Sequence, residues 1–299
     1  MRTKRVTYEF DNVIEREEYL DGRYGAPGEK RAEKKKPTPE QVAQVNQWNK
    51  ERKARHRLLK YFKKNDYFIT LTYPKEARPP NMEEAKKDFR RFYQYVKKEY
   101  TKRNEELRWI RNIECTPTGN WHIHVVLNRI VDTDIITSKA WKPGKVKNVQ
   151  LLYEKGEFKK LAQYVTKDEK TQAKYVEEGV LDHKISEADY STSRNMPLPE
   201  PKVDHLERWP KEPKAKKGWY IEKGSCYEGT NKATGFPYRR YTMIRLERRE
   251  SHESRDLYRD KQCTDNDKER KVHRAHRRAD KQRTGNKSSP GRRKRHNSK

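Results

Sequence analysis

Apolar residues in this chain are both scarce and gathered together, and that restricts what can fold. Hydrophobic side chains are 31% of the 299 residues, while Asp, Glu, Lys and Arg are 39%. Only part of such a chain can bury a core. The part with clear hydrophobic periodicity runs from Tyr61 to Lys170. The sequence from Arg248 to Lys299 is almost devoid of apolar residues and holds 19 Lys/Arg against 8 Asp/Glu. It reads as a basic, largely disordered tail.

Within the periodic region the elements alternate in type. Thr38-Pro39-Glu40-Gln41 has the form of a capping box with proline at the first helical position. The helix it opens, to about Lys60, carries Val42, Val45 and Trp48 on one face. Tyr67 to Tyr73 alternates and is rich in aromatic and β-branched residues, as a strand does. Asn81 can cap a helix in which Ala85, Phe89, Phe92, Val96 and Tyr100 recur at steps of three and four. Arg108–Cys115 and Trp121–Asn128, joined by Thr116-Pro117-Thr118-Gly119-Asn120, make a β-hairpin.

A short helix near Asp134 to Trp141, a strand from Val146 to Tyr153 and a helix from about Glu157 to Lys170 follow. Prolines hold residues 195–201 extended. Trp219 to Glu222 and Phe236 to Glu247 read as a final hairpin. The expected class is α+β, an antiparallel sheet sandwiched by helices. The chain divides into a polar N-terminal arm (1–37), a folded domain (38–200), a C-terminal β-hairpin extension (201–247) and the tail (248–299).

The formal net charge is +28. So basic a chain calls for a polyanionic partner, nucleic acid by default. No apolar run approaches the roughly 20 residues of a membrane span. The basic N-terminus lacks the apolar stretch of a signal peptide, so a cytoplasmic protein without membrane partners is expected. Cys115, Cys226 and Cys263 have no spacing that suggests disulfides or a zinc site. Oligomeric state is not legible.

His122-Ile123-His124 is the sharpest chemical feature. On a strand both imidazoles project from one face while Ile123 points to the other. An isolated H-x-H is as often two polar residues on a solvated face. The hairpin adds to it: with Thr118 at the apex, Glu114 lies across from His122 and Asn112 across from His124. Two imidazoles and a carboxylate on one face make a plausible divalent-metal site with open positions. Tyr164 and Lys167, three apart on the last helix of the region, share a face. A surface tyrosine beside a surface lysine is the plainer reading of that pair.

Together these residues resemble the HUH endonucleases, in particular the single-tyrosine rolling-circle replication initiators of plasmids and phages. Phe68-Ile69-Thr70-Leu71-Thr72-Tyr73 resembles the family's first motif, His122-Ile123-His124 its second, and Tyr164 to Lys167 its YxxK third. The resemblance spans about residues 38–200 and takes in Trp141, Gly144 and Ser193-Arg194-Asn195. It implies the family's ferredoxin/RRM-like core, with Glu114, His122 and His124 holding Mg²⁺ or Mn²⁺. Tyr164 would be the nucleophile on single-stranded or hairpin origin DNA, assisted by Lys167, leaving a 5′-phosphotyrosine and a 3′-OH primer.

Relaxases of the same superfamily place the tyrosine before the H-x-H, and position 168, where two-tyrosine initiators carry a second Tyr, is Asp168. No G-x-x-x-x-G-K-[ST] occurs, so a host helicase and a host polymerase are the expected partners. Tyr73, Trp121, Arg194 and Asn195 are candidates for contact with DNA. A transposase or mobilisation nickase of the same chemistry is the nearest alternative. A non-catalytic nucleic-acid-binding protein is a further one.

Overall fold

The computed structural model describes residues 2–21, 38–152, 158–230 and 236–246. The expected basic tail lies outside these. The described residues form two antiparallel sheets and five α-helices. The strands are β1 (Arg2–Glu9), β2 (Val13–Asp21), β3 (Tyr67–Thr72), β4 (Trp109–Cys115), β5 (Trp121–Leu127), β6 (Lys145–Leu151), β7 (Glu187–Thr192), β8 (Lys202–Leu206), β9 (Trp219–Ile221), β10 (Tyr227–Thr230) and β11 (Pro237–Arg245). The helices are α1 (Pro39–Tyr61), α2 (Met82–Lys102), α3 (Thr133–Ala140), α4 (Phe158–Thr166) and α5 (Gln172–Glu177).

The central sheet has the order β6-β3-β5-β4-β7. Strand alternation gives it two chemically different faces. Ile69, Leu71, Ile113, Cys115, Ile123, Val125 and Leu127 point to one side, where Ala85, Phe89, Phe92, Val96 and Tyr100 of α2 and Ile136 of α3 close a core. The other face is divided along its length. Ile110 and Val126 at one end meet Ala54 and Leu58 of α1 and Ala162 and Val165 of α4. Asn112, Glu114, His122 and His124 occupy the other end.

Both long helices begin as their sequences dictate. The Thr38 side chain accepts from Gln41 N–H while Gln41 reaches back to Thr38 N–H. Asn81 accepts from Glu84 N–H at 3.0 Å. The expected apolar face of α1 differs: Val42 and Val45 are exposed, and the helix is buried through Ala54, His56 and Leu58 instead. Trp48 is covered by the Arg240 guanidinium, 3.8 Å from its ring centre.

The structure adds a second sheet that the sequence pattern does not reveal. The supposed polar arm supplies β1 and β2, paired residue by residue from Arg2↔Asp21 to Glu9↔Ile14. β8 pairs with β1 and β11 with β2, giving the order β10-β11-β2-β1-β8 with β9 also on β11. The charges that make the segment look unfoldable are partnered across strands. Glu18, almost fully buried, accepts from Arg239 at 2.8 Å and Arg5 at 2.8 Å. Glu15 of β2 meets His56 at 2.8 Å and Arg55 at 2.6 Å, so α1 links this sheet to the central one. The final hairpin expected from Trp219 and Phe236 is a β9–β11 pairing, with β10 between them in sequence.

No helix among the described residues is long and apolar enough to cross a membrane.

Candidate functional site

The hairpin register puts Glu114 opposite His122 and Asn112 opposite His124, as counting from the turn predicts. β3 lies on the other side of β5, with Thr70 beside His124 and Thr72 beside His122. Period-two alternation therefore gathers Thr70, Asn112, Glu114, His122 and His124 on the face toward α4.

Glu114 is the centre of the group and has no solvent exposure. Its Oε1 lies 2.7 Å from His124 Nε2, 3.1 Å from His183 Nε2 and 3.9 Å from His122 Nδ1. Its Oε2 is ion-paired with Lys167 Nζ at 2.8 Å, and Lys167 too is fully buried. Burial alone would raise the Glu114 pKa. Hydrogen bonds from His124 and His183, with the nearby His124 and Lys167 charges, outweigh it and keep the carboxylate ionised far below its usual range. Burial lowers the pKa of His124 and of His122, which favours neutral imidazoles able to offer a lone pair. The second nitrogen of His124, Nδ1, is fixed by Thr70 Oγ1 at 3.1 Å.

The chain reaches the cluster again at the end of α4. The helix expected to continue to Lys170 stops at Thr166. Asp168 ends it: its Oδ1 accepts from the backbone N–H of Lys170 and Thr171, a competing local turn of the kind Asp favours. Asn112 Nδ2 donates to the Lys167 carbonyl at 3.0 Å, tying this junction to β4.

Tyr164 and Lys167 thus converge although the second lies beyond the helix. Lys167 Nζ sits 3.4 Å from the centre of the Tyr164 ring. Tyr164 Oη lies 3.3 Å from His124 Nε2, and Phe68 packs edge-on against the tyrosine ring. Burial raises the tyrosine pKa above its ordinary value, and the negative charges of Glu114 and Asp182 raise it further. Burial lowers that of Lys167 to about 8 against the pull of Glu114.

Residues 66–169 match the family model of the ORF2-type replication-associated protein. The matched segment is about a third of the chain, and it contains β3, the β4–β5 hairpin, Tyr164 and Lys167. It supports a role in the initiation of replication. No curated protein and no solved structure matches the chain.

Five of the expected site residues, Glu114, His122, His124, Tyr164 and Lys167, meet in one cluster. The expected DNA-contact residues do not join it. Tyr73 and Trp121 are buried in the core on the opposite face, where Tyr73 bonds Asp88 at 3.3 Å and packs edge-on against Trp141. Each has the strand parity of its apolar neighbours, Leu71 and Ile123, and so turns away from the histidines. Asn195 is spent on the fold, donating to Glu106 Oε1 and the Leu107 carbonyl. Arg194 is exposed.

One residue of the cluster carries no sequence signal. His183 lies in the loop between α5 and β7, 69 positions from Glu114. Buried Leu181 and Ile185 pack with Tyr175 on either side of it, and Ser186 N–H bonds the Cys115 carbonyl at 2.8 Å. The loop is therefore docked on the edge of β4.

Among the described residues no group of three or more His, Cys, Asp or Glu stands open as a preformed metal site. His124 and His183 are closed onto Glu114 by direct contacts. The donor set nonetheless fits a divalent ion. Bonds of about 2.1 Å at right angles leave neighbouring ligand atoms about 3 Å apart, and two imidazole nitrogens lie 2.7 and 3.1 Å from Glu114 Oε1.

Proposed function

We propose that the chain is a replication initiator that nicks single-stranded origin DNA by attack of Tyr164 on a phosphodiester. The observation that carries this reading is the meeting of Tyr164 Oη with His124 Nε2, at 3.3 Å, beside the buried Glu114–Lys167 pair. A tyrosine, a lysine and a His-His-Glu donor set are then within reach of one phosphate.

In the proposed reaction the Tyr164 phenol gives up its proton as the Oη–phosphorus bond forms. The phosphorus–O3′ bond breaks, and the departing 3′-oxygen takes up a proton to become the primer hydroxyl. Attack of a later 3′-OH on the phosphotyrosine reverses these changes and rejoins the strand. With its pKa raised above 10, less than roughly one tyrosine in 300 is ionised at pH 7.5. Activation requires positive charge brought to the site. Lys167 supplies one, over the ring that becomes the phenolate. Glu114, His122 and His124 would hold Mg²⁺ or Mn²⁺, which when bound supplies Lewis-acid stabilisation of the charged phosphate. The histidines then trade their contacts with Glu114 for shared ligation, and Thr70 keeps the His124 ring oriented from behind.

The excess of basic residues fits a DNA partner, held through its backbone without sequence reading. Strand opening and synthesis fall to a host helicase and a host polymerase in this scheme.

The test is a covalent adduct. Protein incubated with Mn²⁺ and labelled single-stranded DNA from its own replicon should give a denaturant-resistant protein–DNA band, absent with Tyr164→Phe. An adduct that survives Tyr164→Phe overturns the nucleophile. Salt-sensitive binding with no adduct under any divalent ion overturns the nicking reading in favour of simple DNA binding.

A further inference from the structure

His183 is poised for a role that the H-x-H motif and its carboxylate leave unassigned. Its Nε2 points at the same Glu114 oxygen as His124 Nε2, at 3.1 Å against 2.7 Å. Its other nitrogen, Nδ1, lies 2.7 Å from Asp182 Oδ1. A carboxylate behind an imidazole, with the far nitrogen facing a buried anionic oxygen, is the arrangement by which proteins orient metal-bound histidines. His124 is backed in the same manner by Thr70. The imidazole is partly exposed, yet its loop is anchored on both sides by buried Leu181 and Ile185. It is held at the cluster from a strand edge, not carried there by a free loop.

We infer that His183 is a fourth protein ligand of the metal site, with Asp182 as its positioning residue. The inference rests on the proposal that Glu114, His122 and His124 bind a divalent ion. It changes the chemistry of that site. A carboxylate with two histidines leaves room for a hard ion with several waters. A carboxylate with three imidazoles suits Mn²⁺ and the later transition ions over Mg²⁺, because imidazole is a poor partner for Mg²⁺. It also removes one open position, so fewer remain for phosphate oxygens.

Mn²⁺ itself is the probe. Calorimetric titration of the full chain gives its affinity, and pulsed electron paramagnetic resonance counts the nitrogens coupled to it. Expected are three coupled imidazole nitrogens in the wild type and two in His183→Ala and His183→Gln. Mn²⁺ affinity should fall at least about tenfold in both variants. Thermal unfolding in chelator, unchanged between His183→Gln and wild type, separates ligation from folding. Should both variants bind Mn²⁺ like wild type with the same nitrogen count, while His122→Ala loses it, His183 is only a hydrogen-bond partner of Glu114. The inference then fails and the three-residue site stands. Should wild type bind no better than His122→Ala, the metal reading fails and the fourth ligand with it.

Discussion

Replacing Lys167 by Met removes the buried cation and leaves its partner in place. The Lys167 ammonium is 2.8 Å from Glu114 Oε2, and both side chains are wholly excluded from solvent. Breaking a buried ion pair by deleting one member costs about 3–5 kcal/mol, because an uncompensated charge remains. Here His124 and His183 still meet Oε1, so the lower end, about 3 kcal/mol, is expected. For a folded unit of this size that corresponds to a fall of about 6–12 °C in Tm.

The loss should be contingent on the carboxylate. In Glu114→Gln/Lys167→Met neither charge is present, and the double variant should be more stable than the sum of the singles by at least about 1.5 kcal/mol. Urea and thermal unfolding followed by circular dichroism, in chelator so that no ion substitutes for the lysine, measure all four proteins. If Lys167→Met stays within about 1 kcal/mol of wild type, or if the two changes add, the pair does not hold the site together as argued.

Three further outcomes are expected. In the second sheet, burial raises the Glu18 pKa, but hydrogen bonds from Arg239 and Arg5 outweigh it and hold it low. The stabilisation it gives is therefore full above about pH 4.3 and lost as pH falls through the depressed folded value. Urea midpoints measured from pH 7 to 3 should drop with a gentler slope in Glu18→Gln, and an unchanged slope would remove this pair from the acid response. A Cβ at Gly144 would lie 1.9 Å from the Thr72 carbonyl oxygen. Gly144→Ala should cost about 2–3 kcal/mol by forced backbone displacement, and a loss under about 0.5 kcal/mol in urea titration would contradict that close approach. Trp121→Phe, which keeps an aromatic in the α2-side core, should leave affinity for single-stranded DNA within about twofold of wild type, because a core ring cannot supply the kcal-scale base stacking of an exposed one. A tenfold loss in filter binding would return Trp121 to the DNA surface.

The site is legible where local rules govern it. Two-residue alternation about a single turn is enough to pair Glu114 with His122, because a one-residue slip would turn every side chain over. The recurrence of Ala85, Phe89, Phe92, Val96 and Tyr100 likewise fixes the buried face of α2. The same parity, applied to Tyr73 and Trp121, sends both to the core. Their nearness in sequence to the motifs suggests the DNA surface instead, but nearness along a strand says nothing about face.

The rest depends on contacts between distant segments. His183 becomes part of the cluster only when its loop docks on β4. β1 and β2 look like a solvated arm because their partners lie more than 180 residues away, and their charges are neutralised only after that pairing. The periodicity of α4 overruns its true end because the Asp168 turn competes with the helix by a side-chain bond that propensity does not reveal.

The pairing of the earliest strands with nearly the last ones has a consequence for synthesis. Every strand of the central sheet lies between Tyr67 and Thr192, so it can close while the ribosome is still translating. The Glu18–Arg239 contact spans 221 positions and must wait for β11. Until then β1 and β2 leave the ribosome with their charges bare and one edge unpaired, a form open to holdase chaperones and proteases. The sheet that carries the histidines would be born first, and the one that seals the chain's beginning to its end last.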